Sequence, residues 1–354
     1  MEQLLILGRY TRVLTRNKDA IFGAGSQQHI INNREKWNNL VLAAAQWVTA
    51  NTREKAFNSV SEDMSREEFD DCFSFLTKNK FLVPAYTSEN IFNNRYSRNH
   101  LHYQSCGKDP STIQNVLSEK EVVILGCGGI GNHVSAMLAT SGIGKMTLID
   151  DDIIELTNLT RQILFTEDDI GEPKTAVMRR ELLRRNSTIK VDEIRLGVRS
   201  PDDLKHIPNA DLWIVSADEP YQLMQWVNKW CVDHKQPYIN SGYVNDIATF
   251  GPLYIPGKTG CYACSSSIGN LPEQENEKIN AASAEINRNF KVATFPPVNA
   301  LSSALCVNDV LKFLGGYGSP LSENRRVGIW SSELFIEDRM LTRNPLCRVC
   351  GMKL

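Results

Sequence analysis

Two hydrophobic rhythms divide this chain. In REKWNNLVLAAAQWVTA (34–50) and SREEFDDCFSFLTKNKFL (65–82) apolar residues recur at helical spacing. That predicts two amphipathic helices, the second started by Ser65 with Glu67 and Glu68 in its first turn. Beyond residue 90 short apolar runs alternate with amphipathic stretches. They predict strand 121–125, helix 130–141, strand 145–150, helix 173–185, strands 189–196 and 211–216, helix 220–234 and strand 237–240. Alternation of this kind specifies an α/β fold, a Rossmann-like, mostly parallel sheet with helices on both faces. The expected organisation is a small, mainly helical domain over 1–90 and a sheet domain over 91–354. The stretch SSSIGNLPEQENEKINAASAEINRN (265–289) is polar and weakly patterned, so it reads as a mobile loop over the site, extending to about residue 297.

Composition adds limits. A chain of 354 residues, 42% of them hydrophobic, can bury cores in two units. No apolar run approaches the roughly 20 residues that span a membrane, and the start MEQLLILGRYTRVLTRNKD has no basic stretch before its apolar patch. The expectation is a cytoplasmic enzyme. A net charge of -2 gives no general attraction to nucleic acid or to anionic membranes.

The nine cysteines are unevenly placed. Cys261 and Cys264 form one CxxC pair, and Cys347 and Cys350 another. Two thiolate pairs at this spacing can complete a tetrahedral site, which predicts a structural Zn²⁺ held by all four. A redox pair or unligated thiols are the alternatives. The isolated Cys72, Cys106, Cys127, Cys231 and Cys306 read as small buried hydrophobes.

The chemistry concentrates in EVVILGCGGIGN (121–132), TLIDDD (147–152) and NLTRQ (158–162). A strand entering a glycine turn and then a helix directs backbone N–H groups and the helix's positive end at an anion, most naturally a phosphate. Gly126, Gly128, Gly129 and Gly131 make that turn. Asp150 ends the next strand, where a carboxylate can accept from both ribose hydroxyls. Arg161 and Lys174 place two cations nearby, Lys174 just inside a helix that Pro173 opens, suiting a polyphosphate whose leaving charge must be neutralised. Asp218, after strand 211–216, can hold Mg²⁺. Asp151 and Asp152 read as exposed or supporting groups.

GCGGIG, Asp150, NLTRQ, Lys174, Asp218 and the paired CxxC motifs together resemble the MoeB/ThiF family and the related ubiquitin-activating enzymes, which adenylate C-terminal carboxylates. The resemblance covers about residues 91–354. It implies ATP as substrate, with Asn158, Arg161, Gln162 and Lys174 among its contacts. Arg98, in RYSRN (95–99), would be lent across a homodimer interface to the neighbouring site. Relatives that form thioesters carry a cysteine after the first CxxC, and Ser265 to Leu305 contains none. The additional 90 residues at the start, with HYQS (102–105), VSADEP (215–220), YINSGYVNDIATFGPLY (238–254) and GIWSSE (328–333), narrow the likeness to the enzymes that build microcin C-type peptide–nucleotide antibiotics.

That narrower resemblance implies a short peptide ending in Asn, activated on its carboxylate, closed to a succinimide with loss of AMP, and joined through an N–P bond to a second nucleotide. CTP would fit the same phosphate machinery. The first domain would be a winged-helix-like peptide clamp. A sulfur-carrier or ubiquitin-like activating enzyme is the second reading, and a nicotinamide-dependent oxidoreductase, supported only by the glycine turn, is the third.

Overall fold

The computed structural model describes residues 2–16, 19–85, 94–264, 277–288 and 292–351. By contacts the chain forms two compact units, Met1–Asn115 and Val116–Leu354.

In the first unit helices α1 (Arg34–Ala45), α2 (Arg53–Asn58) and α3 (Arg66–Lys78) form as the apolar spacing predicts. Asn33 caps α1 by accepting from the Lys36 N–H, and Ser65 and Glu68 close a reciprocal capping box on α3. Their inner faces bury Leu40, Phe69 and Leu76 with Trp47, Phe22 and Phe81. Five short strands were not anticipated. β1 (Leu5–Leu7) pairs with β5 (Leu82–Pro84), and β2 (Val13–Arg16), β3 (Asp19–Phe22) and β4 (His29–Ile31) form an antiparallel meander. Runs of three or four residues are too short for alternation to register. Helix α4 (Ser97–Ser105) also belongs to this unit, and α5 (Pro110–Ser118) crosses the division.

The second unit is built on one eight-stranded sheet in the order β13-β12-β11-β10-β9-β6-β7-β8. Strands β6 (Glu121–Leu125), β7 (Lys145–Ile149), β8 (Lys190–Ile194), β9 (Leu212–Val215) and the first part of β10 (Tyr238–Val244) run parallel. Their nearly continuous apolar sequences follow from burial on both faces. α6 (Gly129–Ser141), α7 (Lys174–Arg185) and α8 (Leu223–Asp233) connect them. Each agrees with the periodic segments to within three residues at each end, except that β10 continues to Val244. Beyond β10 the sheet turns antiparallel through β11 (Ile247–Tyr254), β12 (Arg325–Trp330) and β13 (Phe335–Met340).

Two further helices lie before that hairpin, α9 (Glu277–Arg288) and α10 (Pro296–Gly315). α9 corrects the reading of 265–289 as a structureless loop. Its Glu, Lys, Ala and Arg residues are good helix formers, and only its exposed isoleucines, Ile279 and Ile286, mark a face. The remainder of that reading, 265–276 and 289, falls outside the described residues.

Candidate active site

All of the parallel strands point their carboxyl ends at one cavity of about 600 Å³, within the second unit. This is where ligands sit in open α/β sheets. In sheet order its walls come from Leu196–Arg199 after β8, Asp150–Asp152 after β7, the glycine turn after β6, Ser216–Pro220 after β9, and Tyr243 on β10.

The glycine turn is packed too tightly for other residues. Gly126 has φ +98°, and a Cβ there would lie 2.5 Å from the Ala217 nitrogen. A Cβ on Gly131 would lie 1.9 Å from the Gly126 carbonyl oxygen. At Gly128, the N-cap of α6, there is open space instead and no side-chain cap. The first N–H groups of α6 are therefore left for a ligand.

Asp150 sits beneath this turn. One carboxylate oxygen accepts the Cys127 N–H at 2.7 Å, the other the Asp152 N–H at 2.9 Å. Burial pushes its pKa up, opposed by the Lys174 charge and these two N–H donors. The remaining lone pairs stay open to ribose hydroxyls.

Lys174, buried at the first position of α7, extends Nζ to the Asp152 carboxylate at 2.6 Å. Asp152 thus holds the lysine that lines the cavity. Asp151 pairs with Arg199, a cavity-lining cation that the sequence reading missed because β8 is polar and its end carries no motif. Arg161 is anchored by Nη1 donating to the Thr157 carbonyl at 3.1 Å. Gln162 lines the cavity, almost fully buried, and its Oε1 has no partner among the described residues. Asp218 lines it as well, and among the described residues it forms no ion pair.

Two expected residues stand elsewhere. Asn158 is buried and turns its Oδ1 to the Glu155 N–H at 3.1 Å, so it shapes the turn that presents Arg161. Arg98 is exposed on α4 of the first unit, whereas every wall of the cavity belongs to the second.

Far along the chain, Cys261, Cys264, Cys347 and Cys350 bring their Sγ atoms within 4.8 Å of one another. Separations of 3.7 Å (Cys261 to Cys347), 4.0 Å (Cys264 to Cys261) and 3.4 Å (Cys264 to Cys350) bracket the about 3.8 Å expected across a tetrahedron with Zn–S bonds near 2.3 Å. Hydrogen bonding with Cys261, and the Asn344 N–H, lower the pKa of the Cys264 thiol. Four sulfurs at these separations, one of them taking a backbone N–H, suit zinc. The isolated Cys72, Cys127, Cys231 and Cys306 are buried, and Cys106 half-buried.

Residues 96–349 match the ThiF family. The sulfur carrier protein ThiS adenylyltransferase of Escherichia coli is 29% identical over 238 residues, 67% of this chain and 88% of that protein. MccB, the microcin C7 biosynthetic enzyme, solved in complex with N-formylated MccA, superposes with a TM-score of 0.93 at 50% identity, covering 98% of this chain and 100% of the other. MccB solved with ATP gives 0.91 at 50% identity over 98% of this chain and 100% of that one. MccB with a succinimide gives 0.91 at 49%, again over 98% and 100%. With its glycine turn, its buried lysine and the family pattern running from α4 through the cysteine cluster, this chain belongs to the ThiF family.

Proposed function

We propose that this protein is a peptide adenylyltransferase of the microcin C type, which activates the C-terminal Asn of a short peptide with ATP and joins AMP to it through an N–P bond by way of a succinimide. One observation carries the reading. Likeness to MccB at 50% identity runs through 98% of the chain, first unit included, whereas the sulfur-carrier adenylyltransferase matches only 67% of it.

Each residue then has a task. The open N–H groups of α6 and the glycine turn hold the phosphates, and Asp150 holds the ribose. Arg161, Gln162 and Lys174 surround the chain of phosphates, with Lys174 aimed by Asp152. The attacking peptide carboxylate is already ionised at neutral pH and needs no general base. What must be stabilised is charge on departing pyrophosphate, which Lys174 and Arg161 neutralise. Asp218, the carboxylate that the family resemblance points to, would hold Mg²⁺, which would supply further neutralising charge there. The cysteine cluster would hold Zn²⁺ as a structural clasp between 261–264 and 347–350.

The first unit acts as a clamp for the leader end of the peptide, raising the effective concentration of its C-terminus at the ATP site. The working form is a homodimer in which Arg98 reaches the neighbouring nucleotide. A cytoplasmic location suits reduced thiols and a zinc–thiolate site.

Mass spectrometry of the products formed with an Asn-ended peptide and each of ATP, CTP, GTP and UTP tests the reading. The expected product carries AMP. A CMP adduct would keep the chemistry and change the nucleotide. Pyrophosphate exchange stimulated only by a carrier protein ending in Gly-Gly would replace the reading with the activating-enzyme alternative.

A further inference from the structure

Tyr243 lines the cavity but belongs to none of the nucleotide-binding segments. β10 pairs in parallel with β9 only through Asn240, and past that residue it continues alongside β11, carrying Tyr243 beyond the parallel sheet. The order of the walls gives this position a meaning. The ribose carboxylate stands after β7 and the phosphate turn after β6, so the nucleotide runs from β8 toward β9. The acyl group that meets the α-phosphate must lie beyond, on the β9 and β10 side.

The Tyr243 hydroxyl is oriented from behind. On the first turn of α10, fully buried Asn299 donates from Nδ2 to the Phe295 carbonyl at 3.1 Å and to Thr294 Oγ1 at 3.3 Å. Reversing this amide would set its oxygen against the Phe295 carbonyl, which fixes its orientation. Thr294 Oγ1, receiving that bond, donates to the Tyr243 hydroxyl oxygen at 2.7 Å. With the Thr294 hydroxyl donating and the Tyr243 oxygen accepting, the Tyr243 O–H proton is left for an acceptor in the cavity. The same Asn299 stands against the phosphate turn, its Oδ1 lying 3.0 Å from where a Cβ on Gly129 would be.

We infer that Tyr243 is a further catalytic residue, whose hydroxyl donates a hydrogen bond to the carbonyl oxygen of the peptide's terminal acyl group, with Thr294 and Asn299 as the residues that position it. The inference rests on the peptide adenylation reading above. In ring closure the Asn side-chain nitrogen forms a bond to the acyl carbon and the carbon–oxygen bond to phosphate breaks. AMP leaves with the electron pair, and the nitrogen's proton goes to water. Tyr243 transfers no proton. It stabilises the negative charge that gathers on the carbonyl oxygen between those events.

The test separates activation from closure. Tyr243→Phe keeps the ring and removes the donor. With ATP, Mg²⁺ and an Asn-ended peptide, the variant should keep its melting temperature and its ATP KM within about twofold. Succinimide formation should slow by about 100- to 1,000-fold while peptidyl adenylate accumulates, as loss of a single such donor does elsewhere. Thr294→Val should slow closure in the same way and Thr294→Ser should restore it, which also covers a Tyr243→Phe protein that fails to fold. Closure within twofold of the original in Tyr243→Phe, or a loss confined to ATP KM, overturns the inference. If the unaltered protein shows no exchange of pyrophosphate with an Asn-ended peptide, the adenylation reading falls and takes this inference with it.

Discussion

At the scale of single residues, the site is governed by which charges are already spoken for. The acidic run Asp150–Asp152 offers three carboxylates to a cation, yet the first is held by two backbone N–H groups, the second by Arg199 and the third by Lys174. Among the described residues Asp218 and Glu219 are the cavity carboxylates that form no ion pair, and the family motif, rather than elimination, assigns Mg²⁺ to Asp218. Asp218→Ala should therefore reduce metal-dependent turnover by about 10²-fold or more, because it removes a ligand while deleting no core volume. Circular dichroism and melting should be unchanged. Near-normal turnover at ordinary Mg²⁺ would remove Asp218 from the metal site. From sequence alone Asp150 stood apart as the strand-ending carboxylate, but nothing in DDD told Asp151 from Asp152. Their roles differ because Lys174 and Arg199, distant in sequence, each neutralise one of them.

At the scale of elements, legibility followed length and periodicity. β6, β7, α6 and α7 were readable because each carries a sustained pattern and sits beside a motif. The strands of the antiparallel extension were not. β13 is FIEDRM and exposed along most of its length, so it lacks the alternation that marks a half-buried strand. α9 was missed although Ile279 and Ile286 share one of its faces, because none of its residues is buried and the stretch around it is polar. The cysteine pairs were legible from spacing alone, and their elements explain what a metal there would do. Cys261 and Cys347 pack into the same core as Trp213, Tyr238 and Tyr254, so zinc would fasten the end of the chain to the sheet. Cys347→Ser should lower the melting temperature and abolish stoichiometric zinc, while ATP KM measured well below that temperature stays within about twofold. Unchanged melting in a zinc-free preparation would leave the cluster as buried thiols.

At the scale of the whole molecule, one expected residue belongs to the unit that does not build the cavity. Arg98 is exposed on α4, in a unit that contributes none of the cavity's walls. If the working form is a two-fold dimer, the Arg98 of each chain completes the other's site. Arg98→Ala should then cut turnover by about 10² or more, because an arginine on a transferring phosphoryl group has that weight. Lys174→Ala should be similarly inactive for a reason confined to its own chain. Mixing the two variants gathers both defects into one site of each mixed dimer and leaves the other site with an intact Lys174 and an intact Arg98. By the symmetry of that arrangement, two inactive parents should regain up to about half of the original activity per mixed dimer. Differently tagged chains, purified through both tags in turn, would establish that subunits have exchanged before activity is read. Mixed dimers verified in this way that remain inactive would place Arg98 within its own chain's chemistry, or outside the chemistry altogether. The lysine alone, aimed by Asp152, would then have to account with Arg161 for the charge on the leaving pyrophosphate.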